Sequence, residues 1–142
     1  MEKGLRQGDP LAPFLFLLVA EALNGLIHKA KELNKYKGVE VGEERLEVTH
    51  LQFADDSIFF CDALDSNIRA IKGILQTFEL VSGLKVKFFK SALYGINVKV
   101  EDISEWAESL NCVVGAVPFK YLGISVGANP KKLSTWALLL TA

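Results

Sequence analysis

Hydrophobic and polar positions divide the chain into segments of different period. Leu11 to Ala20 is uninterrupted apolar sequence containing Pro13, Glu21 ends it, and the polar stretch HKAKELNKYK follows shortly after. Ahead of it, Gly8-Asp9-Pro10 has the chemistry of a helix start. An aspartate at the N-cap accepts from orphan amides, and proline at the first position gives up no needed donor. The pattern predicts a helix from there to about Lys35, with its first turns buried, its far end wet and Gly38 closing it.

Beyond Gly38 the period shortens to two. GVEVGEERLEVTHLQF alternates around Gly42-Glu43-Glu44-Arg45, which predicts a hairpin whose second strand continues towards Phe53. Strand-forming residues resume at Ser57-Ile58-Phe59-Phe60-Cys61, so Asp55 and Asp56 are expected at the tip of a second hairpin. From Ser66 or Asn67 a helical period takes over, with Ile68, Ile71, Leu75, Phe78 and Val81 near one face and Gly83 as the stop. LKVKFFKSALYGI then places Lys85, Lys87 and Lys90 beside an extended segment. VEDISEWAESLN predicts a short helix carrying Ile103, Trp106 and Leu110, and VPFKYLGISVG a strand bounded by Pro118 and Gly127. NPKKLSTWALLLTA is expected to start another helix after Asn129-Pro130. The order is that of an α+β fold with a largely antiparallel sheet and helices on one face of it.

Composition narrows this picture. The 142 residues suit one domain, and 50% apolar with 23% charged residues is globular rather than disordered. A mean hydropathy of +0.24 is high for a domain of this size and hints at apolar faces that expect a partner surface. The formal net charge is −1, so any basic footprint for nucleic acid must be local. Leu11 to Ala20 falls short of the roughly 20 residues of a membrane span, and no cleavage signal follows the amino terminus; a buried helix is expected there, with no membrane and no secretion. Cys61 and Cys112 belong to no Cys-x-x-Cys array and suit a core, and His28 and His50 lack the spacing of a zinc helix.

The chemistry concentrates at Asp55-Asp56. Adjacent carboxylates disfavour each other's ionisation, so a fold that keeps them needs either a solvated turn or a divalent cation. Successive strand residues point to opposite faces, so one aspartate would be a direct ligand and the other ancillary. Two-metal phosphoryl transfer holds its ions about 3.5 to 4 Å apart and draws carboxylates from more than one segment. Asp9 suits a cap, Asp62 and Asp65 lie beyond the far strand, and Asp102 and the glutamates sit in helical or solvated contexts. A calcium loop is excluded, because DDSIFFCDALDS lacks the ligand spacing and central glycine. Spacing alone leaves turn and metal equally open.

GLRQGDPLAPFLF, FADD between apolar runs, SGLKVKFFKS and PFKYLG occur in that order. Together they resemble the palm of reverse transcriptases of non-LTR (long interspersed element) retrotransposons, especially those of plants, over residues 1 to 142. The resemblance implies an RNA-directed DNA polymerase working with Mg²⁺ on an RNA template, a DNA primer and dNTP, inside the cell in nucleus or cytoplasm. It implies that Asp55 is the catalytic metal ligand and Asp56 its partner. Arg6, Gln7, Gly8 and Ala54 would contact templating base and incoming nucleotide; a glycine at position 8 lets backbone approach a base pair closely. Lys90 matches a lysine that can protonate the pyrophosphate leaving group, against the alternative of a solvated surface lysine. Tyr121, Leu122 and Gly123 match the turn that grips the primer, with core packing as the rival role for the first two.

Three departures qualify the match. Ala12 stands where serine is common, Lys87 where asparagine is usual, and the family's first catalytic aspartate belongs upstream of the RQGDP loop. The expectation is therefore a partial palm without fingers and thumb, a truncated remnant inactive alone. The alternatives are a noncatalytic module that binds nucleic acid or protein and, behind it, another metal-dependent phosphotransferase.

Overall fold

The computed structural model describes residues 8–53, 56–116, 119–121, 124–126 and 136–141. In chain order these form α1 (Ala12–Glu32), β1 (Val39–Val41), β2 (Leu46–Val48), β3 (His50–Phe53), β4 (Asp56–Asp62), α2 (Asp65–Ser82), a 3-10 turn (Phe88–Lys90), β5 (Ala92–Ile96), α3 (Val100–Leu110), β6 (Val113–Val114), β7 (Phe119–Tyr121), β8 (Ile124–Val126) and β9 (Trp136–Thr141). The main sheet has the order β3-β4-β9-β5-β6, antiparallel except for the β5-β6 pair, while β1-β2 and β7-β8 are separate antiparallel hairpins. The expected α+β architecture is present.

Register explains where the core lies. Phe59 pairs with Leu139, which pairs with Leu93, and Cys61 pairs with Ala137. Alternation along each strand therefore puts these five buried side chains on one face. On that face they share a core with Leu23 and Ile27 of α1, Ile68, Ile71 and Leu75 of α2, and Ile103, Trp106 and Leu110 of α3. All three helices thus cover one side of the sheet. Trp106 Nε1 donates to Asp65 Oδ1, tying α3 to the first turn of α2.

Several elements depart from the sequence-based expectation. WALLLT forms β9 at the centre of the sheet instead of belonging to a terminal helix. A short, continuous apolar run carries no period that separates a buried helix from a two-sided buried strand, and pairing along both edges overrides the helix propensity of Leu and Ala. The second strand of the first hairpin does not run on to Phe53: β2 stops at Val48 and β3 joins a different sheet. The VPFKYLGISVG segment contributes two paired strands, β7 and β8, in place of one. Gly83 does close α2, in the left-handed conformation at φ 73°, with its amide bonded to Glu79 O.

The orientation of α1 is the reverse of the expected one. Its first turns are exposed, with Phe14 at 69% and Leu18 at 65% of full accessibility, whereas Leu23 and Ile27 in its second half are buried. Apolarity on all sides does not say which half docks; the i,i+4 pair facing α2 and the sheet does. The helix also starts later than Pro10, at Ala12, with Pro13 in its first turn where a missing amide costs nothing. Asp9 Oδ1 accepts instead from Leu11 N (2.9 Å), capping the turn ahead of the helix. Asn34, at φ 55°, ends α1 while Lys35 N bonds back to Ala30 O, so Gly38 is not the stop. Gly38 is needed for another reason: a Cβ there would collide with the Val48 carbonyl. By length and composition alone, α1 is also apolar enough to cross a membrane.

Glu47 fastens the first hairpin to the end of α1. Its Oε1 accepts from Gly38 N (2.8 Å) and its Oε2 from Lys31 Nζ (2.8 Å). The Lys31 hydrogen bond holds the Glu47 carboxyl below its ordinary value of 4.5. A depressed folded value stabilises the fold above pH 4.5 and loses that contribution as pH falls through it. His50, lowered from 6.5 by burial, adds a loss that begins at higher pH. Glu47→Gln should therefore flatten the acid limb of thermal midpoint against pH below about 4.5 and leave the His50-linked part unchanged. Differential scanning calorimetry across pH checks both.

The exposed half of α1 sets a second expectation. Contiguous exposed apolar surface favours association, so the 142-residue chain should sediment as a mixture of oligomers. Phe14→Ser, Leu17→Ser and Leu18→Ser together should return a single species by analytical ultracentrifugation.

Candidate functional site

The site is built around the β3-β4 hairpin. Phe53 pairs with Asp56, Gln52 with Ser57 and Leu51 with Ile58. The two-residue alternation that sends Phe59 and Cys61 to the helices sends Asp56, Ile58 and Phe60 to the opposite face. A carboxylate is thus carried at the end of a strand on the side of the sheet opposite the helices, where Ile58 is itself buried. Asp56 is half-buried.

The register also locates Lys90. Ile58 pairs with Leu140 and Leu140 with Ala92, so β4 and β5 run in the same direction with β9 between them. Asp56 stands two residues before Ile58, and Lys90 two residues before Ala92. Both therefore lie toward the same end of the sheet, on either side of β9. Lys90 is exposed and closes the 3-10 turn, its amide bonded to Lys87 O (2.9 Å).

Gly8 occupies a different place. Its φ of +86° belongs to the turn before α1, and space is open where a Cβ would stand. With Pro10, Pro13, Phe16 and Leu17 it lines an open, apolar concavity of about 740 Å³. Tyr121 ends β7 and pairs with Ile124. Arg6, Gln7, Ala54, Asp55, Leu122 and Gly123 lie outside the described residues. Among the described residues, no group of three His, Cys, Asp or Glu side chains could hold a metal ion.

What fixes the hairpin was not visible as a site in the sequence. Tyr36, buried beneath it, places its hydroxyl between the carbonyl oxygens of Thr49 (3.0 Å) and Phe60. Burial pushes its phenol far above the ordinary range, so it stays a proton donor. Asn67 is also buried: its Oδ1 accepts from Lys37 N (3.0 Å) and its Nδ2 donates to Asp62 O (3.0 Å). Together they clamp the base of the hairpin, one at Thr49 and Phe60, the other where β4 ends. The available signal was a polar Asn at the start of an otherwise apolar helix stripe, and a Tyr set among lysines in NKYK. Cys61, whose thiol burial raises to about 12, is a core residue as expected.

The family model described as "Reverse transcriptase (RNA-dependent DNA polymerase)" matches residues 1–126. An uncharacterized mitochondrial protein of Arabidopsis thaliana is 47% identical over 55 residues, which is 39% of this chain and 45% of the relative. The match thus spans less than half the length of that relative. No solved structure matches the chain.

The Tyr36 clamp is testable. Tyr36→Phe keeps the ring in the core and removes the hydroxyl, which should lower unfolding free energy by about 1 kcal/mol. Hydrogen exchange should speed up selectively at the amides of β3 and β4, beginning with Phe60, whose N–H bonds to Thr49 O.

Proposed function

The chain belongs to the reverse transcriptase family, and from that premise we propose that residues 1–142 are a partial polymerase palm in which Asp55 and Asp56 hold Mg²⁺ for template-directed nucleotidyl transfer. The single observation that carries this reading is the β3-β4 hairpin. It delivers Asp56 to the face of the sheet opposite the helices, at the end that Lys90 also occupies.

Reverse transcriptases act on an RNA template, a primer and dNTP, and use Mg²⁺. Held there, Mg²⁺ would supply charge neutralisation at phosphate oxygens and a lower pKa for an attacking hydroxyl. The donor chemistry fits as far as it goes: aspartate oxygens suit a hard cation that is usually held by one or two carboxylates together with substrate phosphates. Within these 142 residues the proposal relies on one carboxylate segment, Asp55 with Asp56, and a second would have to oppose it. Lys90 is proposed as the proton donor to departing pyrophosphate. Arg6, Gln7, Gly8 and Ala54 would position template and nucleotide, and Tyr121, Leu122 and Gly123 the primer end. The ordered motifs support a plant-type non-LTR retrotransposon origin, and the likeness to an Arabidopsis protein agrees with a plant lineage. An intracellular setting, nuclear or cytoplasmic, goes with that reading, and the name of the relative adds the mitochondrion.

The noncatalytic alternative, a binding module, is favoured by the exposed first half of α1, which offers apolar surface to another protein.

Primer extension separates the readings. Labelled nucleotide supplied with Mg²⁺ and a primed RNA template should not be incorporated by the 142-residue chain alone. Joined to fingers, thumb and an upstream palm segment bearing an aspartate, the chain should synthesise DNA, and Asp55→Asn should reduce synthesis to background. Synthesis by the 142 residues alone, lost in Asp55→Asn, would overturn their inactivity. A joined polymerase indifferent to Asp55→Asn would overturn the metal assignment.

A further inference from the structure

The segment from Gly83 to Phe89, between α2 and β5, has an organisation that the metal-centred reading, which takes only Lys90 beyond it, does not use. Its backbone is tied down throughout. Leu84 N bonds to Ser82 Oγ (3.2 Å), Val86 N to Glu79 Oε1 (2.7 Å), and Ser91 Oγ to Lys87 O (3.0 Å). Val86 and Phe88 are packed against the core, and Ser91 is fully buried. Between these anchors Lys85, Lys87 and Phe89 face outward, with Phe89 at 72% of full accessibility. Two consecutive phenylalanines thus have opposite fates, one in the core and one in solvent. A fastened loop that displays a large aromatic ring is not explained by packing.

Charge says what would cover that ring. Lys85, Lys87 and Lys90 are all exposed, and among the described residues none has an ion-pair partner. On a chain whose net charge is −1, three lysines in the six residues from 85 to 90 concentrate positive charge on the loop that carries Phe89, offset in part by the Glu79 carboxylate bonded to Val86 N. A polyanion with a planar group at each repeat matches it: phosphates for the lysines and a base for the ring. A double helix presents its bases edge-on inside the stack and cannot offer a free face to Phe89. The loop leads directly into β5, so a strand lying over it passes the same sheet end that carries Asp56.

We infer that this loop is a contact for single-stranded nucleic acid, in which Phe89 stacks on a base while Lys85 and Lys87 hold the neighbouring phosphates. The inference rests on the nucleic-acid side of the proposed function and on none of its metal chemistry.

The test is binding of a short fluorescein-labelled oligouridine to the 142-residue chain in EDTA, with a nonionic detergent to cover α1. Phe89→Ala and Phe89→Leu should each weaken binding about tenfold, because stacking is lost. Their thermal midpoints should not move, since the ring is already in water. Phe89→Trp should retain affinity, and its added indole emission should be quenched by RNA. Lys85→Gln with Lys87→Gln should reduce the slope of log K against log salt by about 1.4, or roughly 0.7 per phosphate contact on a single strand. Wild-type affinity in Phe89→Leu, equal affinity for duplex RNA, or tighter binding of an acidic peptide or phosphatidylserine vesicles than of oligouridine would overturn the inference. Working without metal keeps the two proposals apart: failed primer extension leaves this contact standing, and failed binding leaves the Asp55 assignment standing.

Discussion

The fold depends on one row of hydrophobic contacts across the middle of the sheet: Phe59 beside Leu139 beside Leu93, all fully buried. β9 supplies the central member of that row. Without it β4 and β5 would have no partner on their facing edges, and the helices would have no continuous surface to cover. The constraint is also one of register, because a shift of β9 by a single residue would turn Ala137 and Leu139 to the other face. A slip of β9 against only one of its neighbours would in turn move the Asp56 end of β4 along the Lys90 end of β5. The row that closes the core therefore sets the spacing of the charged groups at the sheet end.

Polar burial does the complementary work nearer the hairpin. Tyr36 and Asn67 each bond main-chain groups inside the fold, and among the described residues no buried side-chain polar atom lacks a hydrogen bond. Such groups are costly when half satisfied and confer uniqueness when fully satisfied. Their placement, one at Thr49 and Phe60 and the other at Asp62, restrains both strands of the carboxylate hairpin from below. The α1 end joins the same assembly through Glu47, which binds Lys31 and the Gly38 amide at once.

How much of this could be seen in the sequence varies with the kind of signal. Local chemistry was legible: Gly83 as a helix stop, the Gly42 turn with φ +80°, and the Ile68, Ile71, Leu75, Phe78 stripe are as expected, while Val81, the last member expected on that face, is exposed. So were Ile103, Trp106 and Leu110 as the buried face of α3. What failed were inferences in which local sequence is degenerate and tertiary context decides. WALLL suits a helix and a central strand equally, and Leu11 to Leu18 is apolar on every side, so neither sequence states what it packs against. Of the candidate site, Asp56 and Lys90 come to one end of the sheet, Gly8 lines a concavity with the first turns of α1, and Tyr121 closes a strand. The supports Tyr36 and Asn67 escaped because their partners are backbone atoms distant in sequence, which no motif records.

The position of β9 has a consequence for how the chain comes to be folded at all. Synthesis is directional, and β4 and β5 are complete long before residues 136–141 are made. Until then, two strand edges meant for the same partner stand open, next to a helix whose apolar first half stays uncovered. Open edges and exposed apolar surface are what chaperones hold and what aggregates grow from. In the order of synthesis, the strand at the centre of the sheet is the last to become available. The interval before that strand arrives is when the chain most needs to be kept apart from its neighbours.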